Sequence, residues 1–209
     1  MSYLRYWAAL ATTTAILTGC GGGDINISAD NNSTVNDNST TTGGGGSSNP
    51  CANYTDPDSN TTVQGSFDGT NCVYGADFVG ENNPLTVDLT IPFITGAHIF
   101  NDVLQVGENV TSGAPAAGPT LTVSAGARLA FADDNYLLVN RGSRIVTDGG
   151  PNSPITFTSV TDINGGNANN PFAVSQWGGV VINGQGITNQ CSDAQRAAND
   201  CHVLSEGKP

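Results

Sequence analysis

The chain has 209 residues, of which 18 are acidic and 6 are basic, so its formal net charge is −12. A charge of this sign repels phosphate backbones and anionic lipid, which argues against nucleic acid as a partner and against membrane docking through basic patches. Only 11% of the residues are charged, whereas glycine occurs 27 times. Such a polar but weakly charged composition is typical of an extracellular β-protein with many turns rather than of a helical cytosolic enzyme.

Residues 1–19 have the layout of a secretory signal peptide. Arg5 supplies a positive charge, and the apolar stretch from Trp7 to Leu17 is shorter than the about 20 residues that a bilayer crossing needs. The sequence L-T-G-C at 17–20 then resembles the lipobox of bacterial lipoproteins, in which the cysteine thiol accepts diacylglycerol. The resemblance implies cleavage before Cys20 and lipidation of Cys20, including an acyl chain such as palmitate on its new amino group. The alternative is an ordinary signal peptide followed by a coincidental cysteine.

The lipobox resemblance also implies a location in the cell. The residue after Cys20 is Gly21, whereas an Asp at that position retains enterobacterial lipoproteins at the inner membrane. We therefore expect an exported protein anchored through its lipid in the outer membrane, at the cell surface or on the periplasmic face. Acyl chains contribute about 0.8 kcal/mol per buried methylene, so two or three of them anchor a protein stably.

Residues 20–50 are predicted to form a disordered tether. They consist almost entirely of Gly, Asn, Ser, Thr and Asp, and their large aliphatic residues are Ile25, Ile27 and Val35. Such a segment cannot bury enough apolar surface to offset the entropy lost on ordering. A flexible coil of this length spans roughly 30 Å, which lifts a domain clear of the lipid headgroups.

The folded region is predicted to begin at Cys51, with a cysteine-bounded N-terminal cap over 51–83 and β-strands over 84–209. Short β-rich runs alternate there with Gly, Asn and Pro, and no segment has a sustained helical period. One short helix is predicted, at Ser192–Asn199. The predicted strands are Leu85–Ile91, Asp102–Val106, Thr120–Val123, Arg128–Phe131, Tyr136–Val139, Arg144–Thr147, Ile155–Ser159 and Gly179–Ile182.

A short internal repeat suggests a solenoid. The sequence V-S-A-G-A-R-L at 123–129 recurs as V-N-R-G-S-R-I at 139–145, and a fixed short period is typical of stacked repeats. Gly126 and Gly142 would form the tight turns between strands, and the aliphatic residues of the two copies would stack inward. We expect Arg128 and Arg144 to be solvated.

Two further motifs resemble a known lineage. The strand P-I-T-F-T-S at 154–159 and the turn and strand W-G-G-V at 177–180 resemble a stretch that recurs in right-handed parallel β-helix proteins of bacterial surfaces. The resemblance covers about residues 84–190 and implies an all-β, right-handed parallel β-helix. The alternative is an antiparallel β-sandwich with two similar hairpins. Because such solenoids have many rungs and usually end in a cap, we expect the chain to be an N-terminal fragment of a longer protein. A short domain closed by a cysteine loop is the alternative.

Four cysteines remain besides Cys20. In an exported protein an even set suggests two disulfides, for which three connectivities are possible. We favour Cys51–Cys72 and Cys191–Cys201, because each pair brackets a local loop. Their spacing does not suit a zinc site.

Calcium is the better metal candidate. Asp56, Asp58 and Asn60 place oxygen ligands at alternate positions, as calcium loops do. The twelfth position of an EF-hand count is Phe67 rather than Glu, so we favour a solvated polar turn and expect no cofactor other than the covalent lipid.

The predicted function is that of a non-enzymatic, membrane-anchored envelope protein that displays a β-helix for adhesion or for contact with a glycan or protein. The sequence lacks the basic residue beside clustered carboxylates that β-helix polysaccharide lyases use, since its one lysine, Lys208, is in the terminal tail. It also has no recognisable Ser/His/Asp spacing. The alternative is a carbohydrate-active enzyme, a lyase or hydrolase whose catalytic rungs lie beyond residue 209.

Overall fold

The computed structural model describes residues 48–170, 172–186 and 188–203. The predicted signal peptide, Cys20 and nearly all of the predicted tether lie outside these ranges. The described residues belong to one structural unit. None of their helices has the length and apolar content that a membrane crossing requires.

Thirteen strands and two short helices make up the described chain. The N-terminal strands are β1 (Asn53–Thr55), β2 (Thr62–Gln64), β3 (Ser66–Phe67) and β4 (Cys72–Tyr74). They are followed by β5 (Leu89–Ile91), β6 (His98–Phe100), β7 (Leu104–Val106), β8 (Thr120–Val123), β9 (Arg128–Phe131) and β10 (Tyr136–Val139). The last elements are β11 (Arg144–Thr147), β12 (Thr156–Ser159), α1 (Val160–Ile163), β13 (Gly179–Ile182) and α2 (Asp193–Ala197).

The strands form a parallel β-helix of three sheets. Strands β5, β8 and β11 make the first sheet, β4, β6, β9 and β12 pair in the second, with β3 at its edge, and β7, β10 and β13 make the third. Successive strands of the chain therefore lie in successive sheets, and every third strand returns to the same sheet in parallel register. The described residues form three complete rungs plus β4. The predicted β-helix is confirmed, and the antiparallel sandwich is excluded because the rungs pair in parallel.

The two copies of the internal repeat do not stack on each other, although the prediction had assumed that they do. Val123 and Val139 do not stack, because β8 and β10 belong to different sheets. Val123 pairs with Ile91 and Thr147 instead. The repeat is a two-strand unit, whereas a rung has three strands, so the two copies occupy different corners of the solenoid.

The glycine prediction within that repeat is confirmed. Gly126 and Gly142 both have positive φ, at 81° and 88°. A Cβ on Gly142 would also lie 2.2 Å from the carbonyl oxygen of Ala116. A side chain there would meet both a backbone penalty and a backbone clash. Arg128 and Arg144 are exposed, as expected.

Side chains that share a register position stack along the interior. Tyr74, Phe100 and Phe131 form an aromatic row, with ring centroids 4.7 and 5.2 Å apart. All three are at most 1% exposed. Aliphatic rows of the other two sheets add to the core. Among them are Leu104, Leu137 and Val180, and Leu89, Leu121 and Ile145. Because these rows continue from rung to rung, the solenoid has a buried core although its strands are only three or four residues long.

The N-terminal end of the solenoid is covered. The antiparallel hairpin β1–β2 packs there, and the Cys51–Cys72 disulfide ties its start to the first residue of β4. Cys51 and Cys72 are 2% and 0% exposed. The parallel ladder begins at Cys72, inside the segment predicted as a cap, because β4 pairs in parallel with β6. The second disulfide, Cys191–Cys201, is also formed.

At the other end, the inward rows are open to solvent within the described part of the chain. Val180 is 43% exposed and Ile182 is 61% exposed, although their partners Leu137 and Val139 are buried. They are exposed because no rung among the described residues lies over them.

His98 is a buried core residue of β6 with both ring nitrogens in use. The Tyr74 hydroxyl accepts the backbone N–H of Ala52 at 3.0 Å and lies 2.8 Å from Nδ1 of His98. Nε2 lies 2.8 Å from the carbonyl oxygen of Pro92. The network is consistent if Tyr74 donates to Nδ1 and a neutral imidazole donates from Nε2. Burial lowers the pKa of His98 to about 4, although the hydrogen bond to Pro92 opposes this shift.

Candidate functional site

A groove of about 620 Å³ runs over the outward face of the third sheet. Gln105, Leu138 and Val181 share one register position on its three strands and contribute to the groove. The groove therefore follows the solenoid axis, with one side chain per rung at a spacing of about 4.8 Å. Rigid strands rather than loops position these side chains, which favours a preformed binding surface.

An asparagine pair lies where the second and third strands of this sheet end. Asn140 follows β10 and is 2% exposed. Its Nδ2 donates to the carbonyl oxygen of Gly107 at 2.9 Å, and its Oδ1 accepts from Nδ2 of Asn183 at 3.2 Å. The amides therefore connect neighbouring rungs at one end of the groove, and Asn183 keeps hydrogen-bonding capacity for a ligand.

Tyr136 begins β10 and is the aromatic side chain among the residues that line the groove. Burial raises the pKa of its phenol, and the negative charge of Glu81 raises it further. The phenol is therefore protonated at neutral pH and available as a hydrogen-bond donor. An aromatic ring with a polar end suits a ligand that has both apolar and hydroxylated faces.

The loop closed by Cys191–Cys201 contributes to the same groove, through Cys201, His202 and Val203. Arg141 Nη1 lies 2.5 Å from Nδ1 of His202, whose Nε2 lies 3.2 Å from the carbonyl oxygen of Gly113. The backbone N–H of Gly113 donates to Oδ1 of Asp200 at 2.6 Å. These contacts attach the disulfide loop to the body of the solenoid and fix the position of Arg141.

Helix α2 lies within that loop and confirms the one predicted helix. Ser192 caps it, since its hydroxyl accepts from the backbone of Gln195 while the Gln195 side chain accepts from the Ser192 backbone. This capping box stabilises a helix of only five residues.

The groove is better equipped for binding than for proton transfer. Its ionisable lining groups are Glu81, Tyr136, Arg141 and His202, and Arg141 is already in contact with His202. A β-helix lyase needs a basic residue beside carboxylates that bind calcium, and a hydrolase needs two carboxyl groups at a defined separation. Glu81 is the single carboxyl group among the residues that line the groove.

The calcium candidates lie elsewhere, at the tip of the β1–β2 hairpin. Asp56 Oδ1 accepts the backbone N–H of Asp58 at 2.8 Å, and Oδ2 accepts the Ser59 hydroxyl at 3.0 Å. These hydrogen bonds, the Asp58 amide first, lower the pKa of Asp56. Asp56 thus shapes a turn, and Asn60 has a positive φ of 53°. Within the described ranges, no three His, Cys, Asp or Glu side chains are grouped as metal ligands.

With this geometry the chain can be compared with known proteins. A family model described as a pectate-lyase like beta helix domain matches residues 110–205. The matched range contains β8 to β13 and the disulfide loop, and it agrees with the observed parallel β-helix. No curated protein and no solved structure matches the chain.

Sequence reasoning missed most residues of the groove. Gln105, Tyr136 and Leu138 lie in predicted strands, but which of their faces points outward depends on a register that one sequence does not show. Asn140 and Asn183 follow their strands at equivalent positions, and this recurrence was the available signal.

Proposed function

We propose that this protein is a lipid-anchored envelope protein that holds a neutral glycan chain in the groove of its third sheet and does not cleave it. The groove itself carries the proposal, because it aligns Gln105, Leu138 and Val181 at one register position per rung. The rung spacing of about 4.8 Å is comparable to the length of one sugar ring. Leu138 and Val181 of this row, with Tyr136 and Asn183 beside it, can meet successive sugar residues of a linear chain.

Charge favours a neutral glycan over a polyuronate. The chain carries a formal net charge of −12, which opposes the approach of a polyanion. In the groove, Glu81 is offset only by Arg141, and Arg141 is held against His202. A polyuronate carries one negative charge per sugar, and the one guanidinium in the groove, that of Arg141, already contacts His202. The groove therefore does not balance the charge of a polyuronate.

Substitution of Tyr136 by alanine is expected to weaken polysaccharide binding by the full-length protein about tenfold or more, because the ring and its hydroxyl are lost together. Affinity electrophoresis and calorimetry against neutral galactan, glucan and xylan, with polygalacturonate in parallel, measure the effect. Phe172→Ala is the matched control, since this aromatic residue is 85% exposed and does not line the groove. Failure of every neutral polysaccharide to bind, or equal loss in both variants, would contradict the proposal.

A second candidate is a carbohydrate-active enzyme, which the match to the pectate-lyase like model favours. The same incubations discriminate between the two functions. Release of unsaturated uronate ends or of new reducing ends from any of these polysaccharides would favour the enzyme. Binding without cleavage would favour the proposal.

The lipid anchor is the second part of the proposal, and it is supported by the L-T-G-C motif at 17–20. Cys20→Ser is expected to abolish incorporation of labelled palmitate and to leave an unprocessed precursor, because serine has no thiol to accept the diacylglycerol. Intact-mass spectrometry and membrane fractionation in a bacterial host measure both effects. Cys51→Ser is the control for a general loss of a cysteine and should still be lipidated. A C20S protein that remains processed and labelled would refute the anchor.

A further inference from the structure

A second cavity, of about 310 Å³, lies between β12, helix α1 and the segment that leads into β13. Ser159, the last residue of β12, has the register position that Phe131 has in the rung before it. The aromatic row thus ends in a small polar residue. Trp177 stacks on Phe131 instead, with ring centroids 5.2 Å apart and planes inclined by 11°. The cavity is lined by both Ser159 and Trp177.

A closed network of polar side chains forms the cavity wall. Gln176 Oε1 accepts from the hydroxyl of Ser159 at 2.7 Å and from Nδ2 of Asn167 at 2.9 Å. Gln176 Nε2 donates to Oδ1 of Asn167 at 2.6 Å. The two oxygens of Asp162 accept from Thr158 and Asn167, at 2.8 and 3.2 Å. Ser159, which is 2% exposed, connects this network to the core.

The network leaves a defined set of unused groups. The second N–H of Gln176 Nε2 has no partner among the described residues, and the Asp162 carboxylate keeps acceptor sites beyond its two hydrogen bonds. A donor and an anionic acceptor therefore lie in one cavity, and each is held in place by its neighbours. Neighbouring hydroxyl groups of a sugar ring require such a pair, since each hydroxyl both donates and accepts.

Trp177 supplies the apolar part of the wall. One of its faces is covered by Phe131, and the rest of the half-buried ring contributes to the cavity. A C–H edge of a pyranose can contact this exposed part of the ring while its hydroxyls reach the amides. A volume of about 310 Å³ lies at the small end of ligand sites, so it suits one ring rather than a chain.

We propose that this cavity binds a single neutral pyranose. An amine or quaternary ammonium ligand would also match an aromatic ring beside a carboxylate. The unused N–H of Gln176 disfavours a cation, however, because a quaternary ammonium or a protonated amine offers it no acceptor. The site shares no lining residue with the groove of the third sheet, so either site can exist without the other.

Tryptophan fluorescence of the full-length chain tests the proposal. The chain has two tryptophans, Trp7 and Trp177, and a Trp7→Phe background assigns the signal to Trp177. Methyl glycosides of glucose, galactose, mannose and N-acetylglucosamine are titrated singly, and at least one is expected to change the emission with saturation. Asp162→Ala and Gln176→Glu should each raise its dissociation constant at least tenfold. Asp162 is exposed, so its removal spares the core.

Two controls make the result decisive. Asp58→Ala removes an exposed carboxylate at a distant hairpin and should leave the titration unchanged. Tyr136→Ala should also leave it unchanged while it weakens polysaccharide binding, so failure of this site and failure of the groove are distinguished. The inference is overturned if no methyl glycoside gives a saturable change, if Asp162→Ala binds as tightly as the parent, or if tetramethylammonium saturates the site in place of the glycosides.

Discussion

Replacement of Phe100 by alanine is expected to lower the free energy of unfolding by about 3–5 kcal/mol. Phe100 is 1% exposed and lies in the middle of the aromatic row, stacked on Tyr74 on one side and Phe131 on the other. Strands pair directly on both sides of it, so the solenoid cannot close around the missing ring without disturbing its ladder. Equilibrium unfolding in urea, followed by circular dichroism, measures the loss.

The matched control is Phe172→Ala, which removes the same side chain from a position that is 85% exposed. Its expected effect is within about 0.5 kcal/mol. If Phe100→Ala cost less than about 1 kcal/mol, the aromatic row would not contribute to stability as the packing indicates. Because a rung contacts mainly its neighbours, the transition of the Phe100 variant can also broaden.

Acidification from pH 7 to pH 4 is expected to destabilise the fold by about 3 kcal/mol through His98 alone. The pKa of this imidazole falls from 6.5 to about 4 in the folded protein, because burial disfavours its charged form. Between these values the unfolded chain binds a proton that the folded chain does not. The stabilisation is therefore complete above about pH 6.5 and is lost as the pH falls toward 4.

Two measurements check this pH dependence. In proton NMR the imidazole resonance of His98 should titrate only near pH 4, and His98→Gln should remove that titration. The slope of unfolding free energy against pH between 4 and 6.5 should persist in His202→Gln and become clearly shallower in His98→Gln. A His98 resonance that titrates near pH 6.5 would show that the Tyr74 and Pro92 contacts do not hold it neutral.

Much of the fold could be predicted from local pattern. The strands from Thr120 to Thr147 were predicted with the bounds that the structure has, because Gly turns and β-branched or aromatic runs punctuate this region clearly. The fold class followed from the motifs at 154–159 and 177–180. Strands β1 to β4, strand β6 and helix α1 were missed, because such short elements show little periodicity of their own. Strands β5 and β7 are equally short, but longer predicted runs covered them.

The two candidate sites depend on contacts between residues far apart in sequence. The groove requires Gln105, Leu138 and Val181 to share a register, although the intervals between them differ. Irregular loop lengths between rungs hide this period from the sequence. Likewise, nothing in the sequence indicates that Trp177 stacks on Phe131 and that Ser159 then leaves room for a cavity.

The sequence favoured Cys51–Cys72 and Cys191–Cys201 among three possible connectivities, and by itself it determined the local elements: the glycine turns at Gly126 and Gly142 and the capped helix after Ser192. Each of these depends on the conformational preferences of a few adjacent residues. Only the tertiary structure decided which strands stack and which side chains meet in the groove and beside Trp177. It also showed that the two copies of the repeat occupy different corners of the solenoid and do not stack as successive rungs. The physical reason is that rung register is set by the packing of inward rows, and those rows join residues that are 24 to 43 positions apart.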